Sequence, residues 1–164
     1  MFLSNDGDRV QVAKAAMPSN VVTVLRPLLA DVYSMVIQAQ GAHWNVKGAD
    51  FSQYHELFGE IYEDVNGSVD PIAESMLKLG ADAISSLTEM QAARTTTDKV
   101  GGSDPMVLAA GLAAVNDDVL MRVQNAFDVA NAANEQGIAN FLAERVDMHQ
   151  KWRWQLRSSI GQSV

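Results

Sequence analysis

Apolar residues first recur at Val22, Leu25, Leu28, Leu29, Val32, Met35, Val36 and Ala39, the i, i+3, i+4, i+7 rhythm that turns one stripe of a helix toward a core. Ser19 or Asn20 can cap that helix. Pro27 falls inside it, and an interior proline loses a hydrogen bond and crowds the carbonyl four residues back, at a cost of about 3 kcal/mol. Either the helix kinks there or its regular part begins near Arg26. A turn over residues 45–50 follows, and Asp50 with Gln53 has the spacing of a capping box. The second stripe then carries Phe51, Tyr54, Phe58, Ile61, Tyr62, Val65, Val69, Ile72, Met76 and Leu77, with Gly80 as a stop. Asp70-Pro71 inside it has the form of an N-cap and a first helical position that would split the segment in two. A kinked continuous helix is the competing reading.

The segment 81–94 predicts a short connecting helix, and TTTDKVGGSD (95–104) a polar loop. Asp104 as cap and Pro105 at the first position open a third long helix through Val107, Leu108, Leu112, Val115, Val119, Leu120, Val123, Phe127 and Ala130. NEQG (134–137) breaks it, and a fourth helix holds Ile138, Phe141, Leu142, Val146, Trp152, Leu156 and Ile160. Four long helices, no alternating strand pattern and one long link predict an all-α fold. It is a four-helix bundle with a short extra helix in the link between helices 2 and 3. The bundle domain is expected over 18–162, preceded by a flexible N-terminal tail over 1–17.

Composition narrows the function. A chain of 164 residues is one domain in size. It has no Cys, which removes disulfide scaffolds, thiol catalysis and Cys-ligated metals. Twenty acidic against 12 basic residues leave a net charge of -8, which attracts cations and repels phosphate backbones. The opening MFLSNDGDRV lacks the basic and apolar regions of a signal peptide. The longest apolar run, Val107 to Val115, is short of the roughly 20 residues that span a bilayer. A cytoplasmic protein without a membrane segment is expected.

The ligand inventory is therefore oxygen and imidazole. His43 ends the first helix and His55 lies in the opening turns of the second; Asp70 and Glu74, spaced i, i+4, share one helical face. Imidazole with carboxylate suits iron, zinc or manganese and leaves positions open for water or oxidant. His55 and Asp70 are 15 residues apart on one nominal helix, or about 22 Å at 1.5 Å per residue. One ion cannot be held by both from the same chain. A site made of all four residues requires two copies, with the acids of one facing the histidines of the other across a two-fold axis.

The run His43-Trp44-Asn45-Val46-Lys47-Gly48, then Phe51, His55-Glu56-Leu57-Phe58, Tyr62 and Asp70 with Ala73-Glu74, resembles the signature of the Dps mini-ferritins. The end of the chain is similar too, from Asn140-Phe141-Leu142 through His149-Gln150-Lys151 to Trp154 and Leu156. The resemblance covers residues 20 to 160. It implies a ferritin-like bundle assembled from dimers into a hollow dodecamer, with ferroxidase sites for at most two irons at two-fold interfaces. His43 and His55 would be ligands from one chain, Asp70 and Glu74 from its partner, with Glu74 a candidate bridge. Trp44 would lie beside the site, where its ring intercepts stray oxidising equivalents or simply packs in the interface.

One departure is that the family commonly places an Asp one turn after the second His, where this chain has Gly59. Glu56, Glu60 and Glu63 lie elsewhere round the helix and are no substitute. The resemblance thus implies ferroxidase activity with one weak iron position. The alternative is a shell-forming structural protein whose activity has been lost through Gly59 and Pro71. Asp128 and Glu135 are candidates for an acidic pore at a three-fold axis, or ordinary solvated acids. DNA binding is expected to be weak or absent: Arg9 and Lys14 are offset by Asp6 and Asp8, and only Lys151, Arg153 and Arg157 could form a small basic patch.

Overall fold

A computed structural model describes residues 20–163; the tail expected over 1–17, and the candidate cap Ser19, lie outside the described residues. Helices α1 (Asn20–Asn45), α2 (Phe51–Gly67), α3 (Val69–Lys78), α4 (Leu87–Ala93), α5 (Pro105–Ala132) and α6 (Gln136–Ser159) follow in order. α1 packs on α2, α3 and α5, and α5 packs on α6. With α2 and α3 end to end, this is the expected all-α bundle, and α4 is its extra helix. Leu25, Leu28, Met35, Phe58, Ile61, Ile72, Met76, Leu112, Leu142 and Leu156 are fully buried at its centre. Each such side chain contributes about 1.5–3 kcal/mol through removal from water.

Several local expectations need correction. α1 runs unbroken through Pro27, so its regular part does not wait for Arg26. α1 is also long and apolar enough by length and composition to cross a membrane, which the run at Val107 did not reveal. However, 61% of that window is buried inside the bundle, as befits its central helix. Asp50 makes no capping hydrogen bond, because its backbone (φ -98°, ψ 23°) is not in the extended region that aims a cap back at the helix. Asp70 does not cap either: α3 starts after Ser68, and Asp70 lies in its first turn.

The break at Ser68 follows from Pro71, which has no N–H to offer the Gly67 carbonyl. Ser68 itself stays right-handed (φ -90°, ψ -11°), and Ile72 N–H still donates to its carbonyl at 3.2 Å. The segment is thus a kinked pair of helices joined without a loop. The connecting helix is shorter than 81–94. Ser86 caps it, accepting from Glu89 N–H at 3.2 Å, and it covers only Leu87–Ala93. Asp104 caps α5 as expected, accepting from Val107 N–H at 3.0 Å. Asn134 turns the chain between α5 and α6 with φ 59°, a left-handed conformation that asparagine tolerates.

The link from α4 to α5 has no ladder of its own, so its backbone donors find partners on α1. Buried Asp31 accepts from Thr95 N–H at 2.7 Å and Thr96 N–H at 2.9 Å. Gln38 Oε1 accepts from Lys99 N–H at 2.8 Å. On the other side Gly111 of α5 admits the link, since a Cβ there would collide with the Lys99 carbonyl oxygen.

A second polar network ties α2 and α5 to α6. Arg145 donates twice to the Asp64 carboxylate, at 2.9 and 2.7 Å, and Trp152 Nε1–H donates at 2.7 Å. His149 Nδ1 pairs with Asn116 Oδ1 at 2.8 Å, while the Asn116 amide donates to the His149 carbonyl at 2.9 Å. Burial raises the affinity of Asp64 for a proton, but the hydrogen bonds from Arg145 and Trp152 outweigh it, leaving its pKa lowered. Burial, reinforced by the Arg145 charge, pushes the His149 pKa down to about 3.

Candidate metal centre

The end of α1 and the start of α2 run past each other closely enough for His43 and His55 to exchange hydrogen bonds. His43 Nδ1 lies 2.7 Å from the His55 carbonyl oxygen, and His55 Nδ1 lies 2.8 Å from the His43 carbonyl oxygen. A carbonyl only accepts, so both Nδ1 atoms carry a proton, and the neutral rings keep their lone pairs on Nε2. This second-sphere bond fixes the tautomer and orientation that a metal-ligating histidine needs. The rings stack with centroids 3.7 Å apart and 19° between planes.

Two further rings hold the pair. Phe51 stacks on His55 at 4.9 Å, and Tyr62 meets His43 edge-on at 5.3 Å. Neither stood out in the sequence as a site residue, although Phe51, His55 and Gly59 are spaced i, i+4, i+8 on one helical face. Trp44, next to His43, is 69% exposed, uncovered by its own protomer.

Asp70 and Glu74 project from α3, both exposed. Among the described residues, no three His, Asp or Glu side chains within a protomer come together as a metal site. The histidines are therefore brought together and the two acids are not brought to them, as the distance along the helix requires. Asp128 and Glu135 are separated too. Asp128 lines a groove with Met121 and Arg153, whereas Glu135 lines one with Pro71 and Lys78. The basic residues of α6 are largely engaged: Arg153 Nε and Arg157 lie 2.9 and 2.8 Å from the two oxygens of Asp117, and Lys151 sits 4.8 Å over the Trp152 ring.

A ferritin-like domain model matches residues 23–163. The chain belongs to the ferritin-like family. Within it, this chain is a Dps-type member. It is 26% identical over 149 residues to a DNA protection during starvation protein of Brevibacillus brevis, spanning 90% of this chain and 99% of that protein. A low temperature-induced protein of Nostoc, itself uncharacterized, is 29% identical over 147 residues, which is 88% of this chain and 82% of that protein. Among solved structures, Helicobacter cinaedi CAIP matches with a TM-score of 0.80 at 28% identity, over 85% of this chain and 99% of that one. The Dps protein of Vibrio cholerae, described as one of the ferritin-like diiron-carboxylate proteins, has a TM-score of 0.82 over 90% of this chain and 99% of its own. At 23% identity, that likeness is one of fold.

Proposed function

We propose that this Dps-type chain is a mini-ferritin of the cytoplasm. It binds Fe(II) at sites shared by two protomers, oxidises it with hydrogen peroxide or oxygen, and stores ferric iron inside a homo-oligomeric shell of twelve subunits. The observation that carries the reading is the reciprocal hydrogen bonding of His43 and His55, which holds two imidazoles with both Nε2 atoms ready to ligate. Asp70 and Glu74 of a second copy complete the donor set, and their negative charge favours the ferric over the ferrous ion. Peroxide needs two electrons, and two Fe(II) supply them. Removing Fe(II) and peroxide together prevents hydroxyl-radical formation, so the role is protection against oxidative damage.

The competing reading, a shell without oxidation, is favoured by Gly59, which withholds a carboxylate from the site. Peroxide-driven Fe(II) oxidation, followed by ferric absorbance, separates the two. It is expected to be fast in the natural chain and to fall to the solution rate in the His43→Ala/His55→Ala variant. Equal rates would leave only the structural shell.

Tight DNA binding is not part of the proposal. Three of the four basic residues on α6 already face carboxylates, Arg145 on Asp64 and Arg153 and Arg157 on Asp117, and the one left on this helix makes few phosphate contacts. In a gel shift at physiological salt, duplex DNA is expected to run free; retention at sub-micromolar protein would overturn this.

A further inference from the structure

Gly59 is buried in α2 against the His43 ring. A Cβ placed on it would lie 3.2 Å from His43 Nδ1 and 3.3 Å from Cε1, closer than side-chain carbons ordinarily approach. That ring has little freedom to give way. Its Nδ1–H is held by the His55 carbonyl at 2.7 Å, one face stacks on His55 at 3.7 Å, and Tyr62 stands at its edge at 5.3 Å. Moving it by a few tenths of an ångström lengthens at least one of these contacts. Gly67, at the other end of the same helix, has nothing within 4 Å of its would-be Cβ.

We propose that Gly59 is a positioning residue of the metal site: its bare Cα is the seat of the His43 imidazole, and the hydrogen-bonded histidine pair orders the ligands in place of a carboxylate at 59. The proposal rests on His43 and His55 being metal ligands. It changes the meaning of the missing Asp. In this chain a carboxylate comes at a cost, because the Cβ that carries it crowds the ring that must ligate. The half-site on α1 and α2 is thus built from two nitrogens and no oxygen, a donor set that suits borderline ions such as Co(II) and Zn(II) as well as iron.

Co(II) is the probe, since its visible absorption reports both nitrogen ligation and geometry. With the full-length assembled protein, Gly59→Ala is expected to weaken Co(II) binding by about tenfold or more, as loss of an outer-sphere support does at metal sites, and to change the spectrum. Gly67→Ala, the same methyl group on the same helix in open space, is expected to bind like the natural chain. Gly59→Asp is expected to fall with Gly59→Ala. Unchanged affinity and spectrum in Gly59→Ala, or tighter binding in Gly59→Asp, would overturn the proposal.

His43→Ala distinguishes the two levels of failure. If it binds Co(II) as well as the natural chain does, the ligand reading falls and the proposal with it. If it loses binding while Gly59→Ala does not, only the seat is wrong. Should Gly59→Ala fail to assemble, nitrogen-15 imidazole spectra of the natural chain still decide: the signal that vanishes in His43→Ala must come from the Nδ1-protonated tautomer, and an Nε2-protonated ring would refute the seat.

Discussion

Shells made only of chains carrying His43→Ala and His55→Ala will not oxidise Fe(II) above the solution rate, nor will shells made only of chains carrying Asp70→Ala and Glu74→Ala. Chains of the two kinds mixed before assembly will recover about a quarter of the natural sites, because half of random pairs are mixed and each mixed pair rebuilds one of its two sites. The reason is geometric. Histidines on α1 and α2 and acids on α3 do not meet within a protomer, so the proposed site takes His43 and His55 from one chain and Asp70 and Glu74 from the other. In a mixed pair, one interface site joins the good histidines to the good acids, and the other joins the two damaged halves. Initial rates of ferric absorbance in co-expressed or co-refolded shells measure the recovery. A mixture no faster than its parents would show that the four residues share no site. A natural rate in the Asp70→Ala/Glu74→Ala parent would show that the histidines find their carboxylates elsewhere.

Much of this arrangement was legible in the sequence, and the illegible parts have physical reasons in common. Helix periodicity placed the four long elements, because burying an apolar stripe is the dominant force that shapes them. Composition and helical rise singled out His43, His55, Asp70 and Glu74, and required a second copy for any site made of all four. What periodicity cannot report is how two helices cross. The exchange of hydrogen bonds between His43 and His55, the stacking of Phe51, and the seat on Gly59 all depend on the separation of α1 and α2. Gly59 therefore read only as an absent ligand, and its close approach to the His43 ring did not show. Local capping was the other weak point. Asp50 and Gln53 have the spacing of a capping box, but the backbone at Asp50 is outside the extended region of a cap and its side chain makes no capping hydrogen bond. Pro27 misled in the opposite direction, since a single lost hydrogen bond is outweighed by the buried contacts of Leu25, Leu28 and Leu29 on either side of it.

Acidification will destabilise this fold from about pH 6.5 downward, well above the range in which ordinary carboxylates titrate, and His149 will be responsible. The buried ring is neutral, with its pKa pushed from 6.5 down to about 3 by burial and by the Arg145 charge, although Asp64 opposes the shift. Below pH 6.5 the unfolded chain takes up a proton that the folded chain refuses. The contribution of the neutral ring is therefore complete above 6.5, declines as pH falls, and is exhausted only where the folded ring itself titrates near 3. At the limiting slope of about 1.4 kcal/mol per pH unit, the loss by pH 4.5 is roughly 2–3 kcal/mol. Asp64 acts in the same sense at lower pH. Its pKa is lowered from 3.8, so the stability it supplies is present above 3.8 and lost as pH falls through the folded value. His149→Asn removes the titrating ring while keeping an amide, at the position of Nδ1, that can donate to Asn116 Oδ1. Urea unfolding of both proteins between pH 7 and about 4.5 is expected to show the variant weaker at neutral pH but flatter, with the difference closing by roughly 2–3 kcal/mol. Parallel profiles would mean that the folded protein accepts a proton on His149, which would require the ring to be hydrated beside Arg145 rather than sealed between α5 and α6.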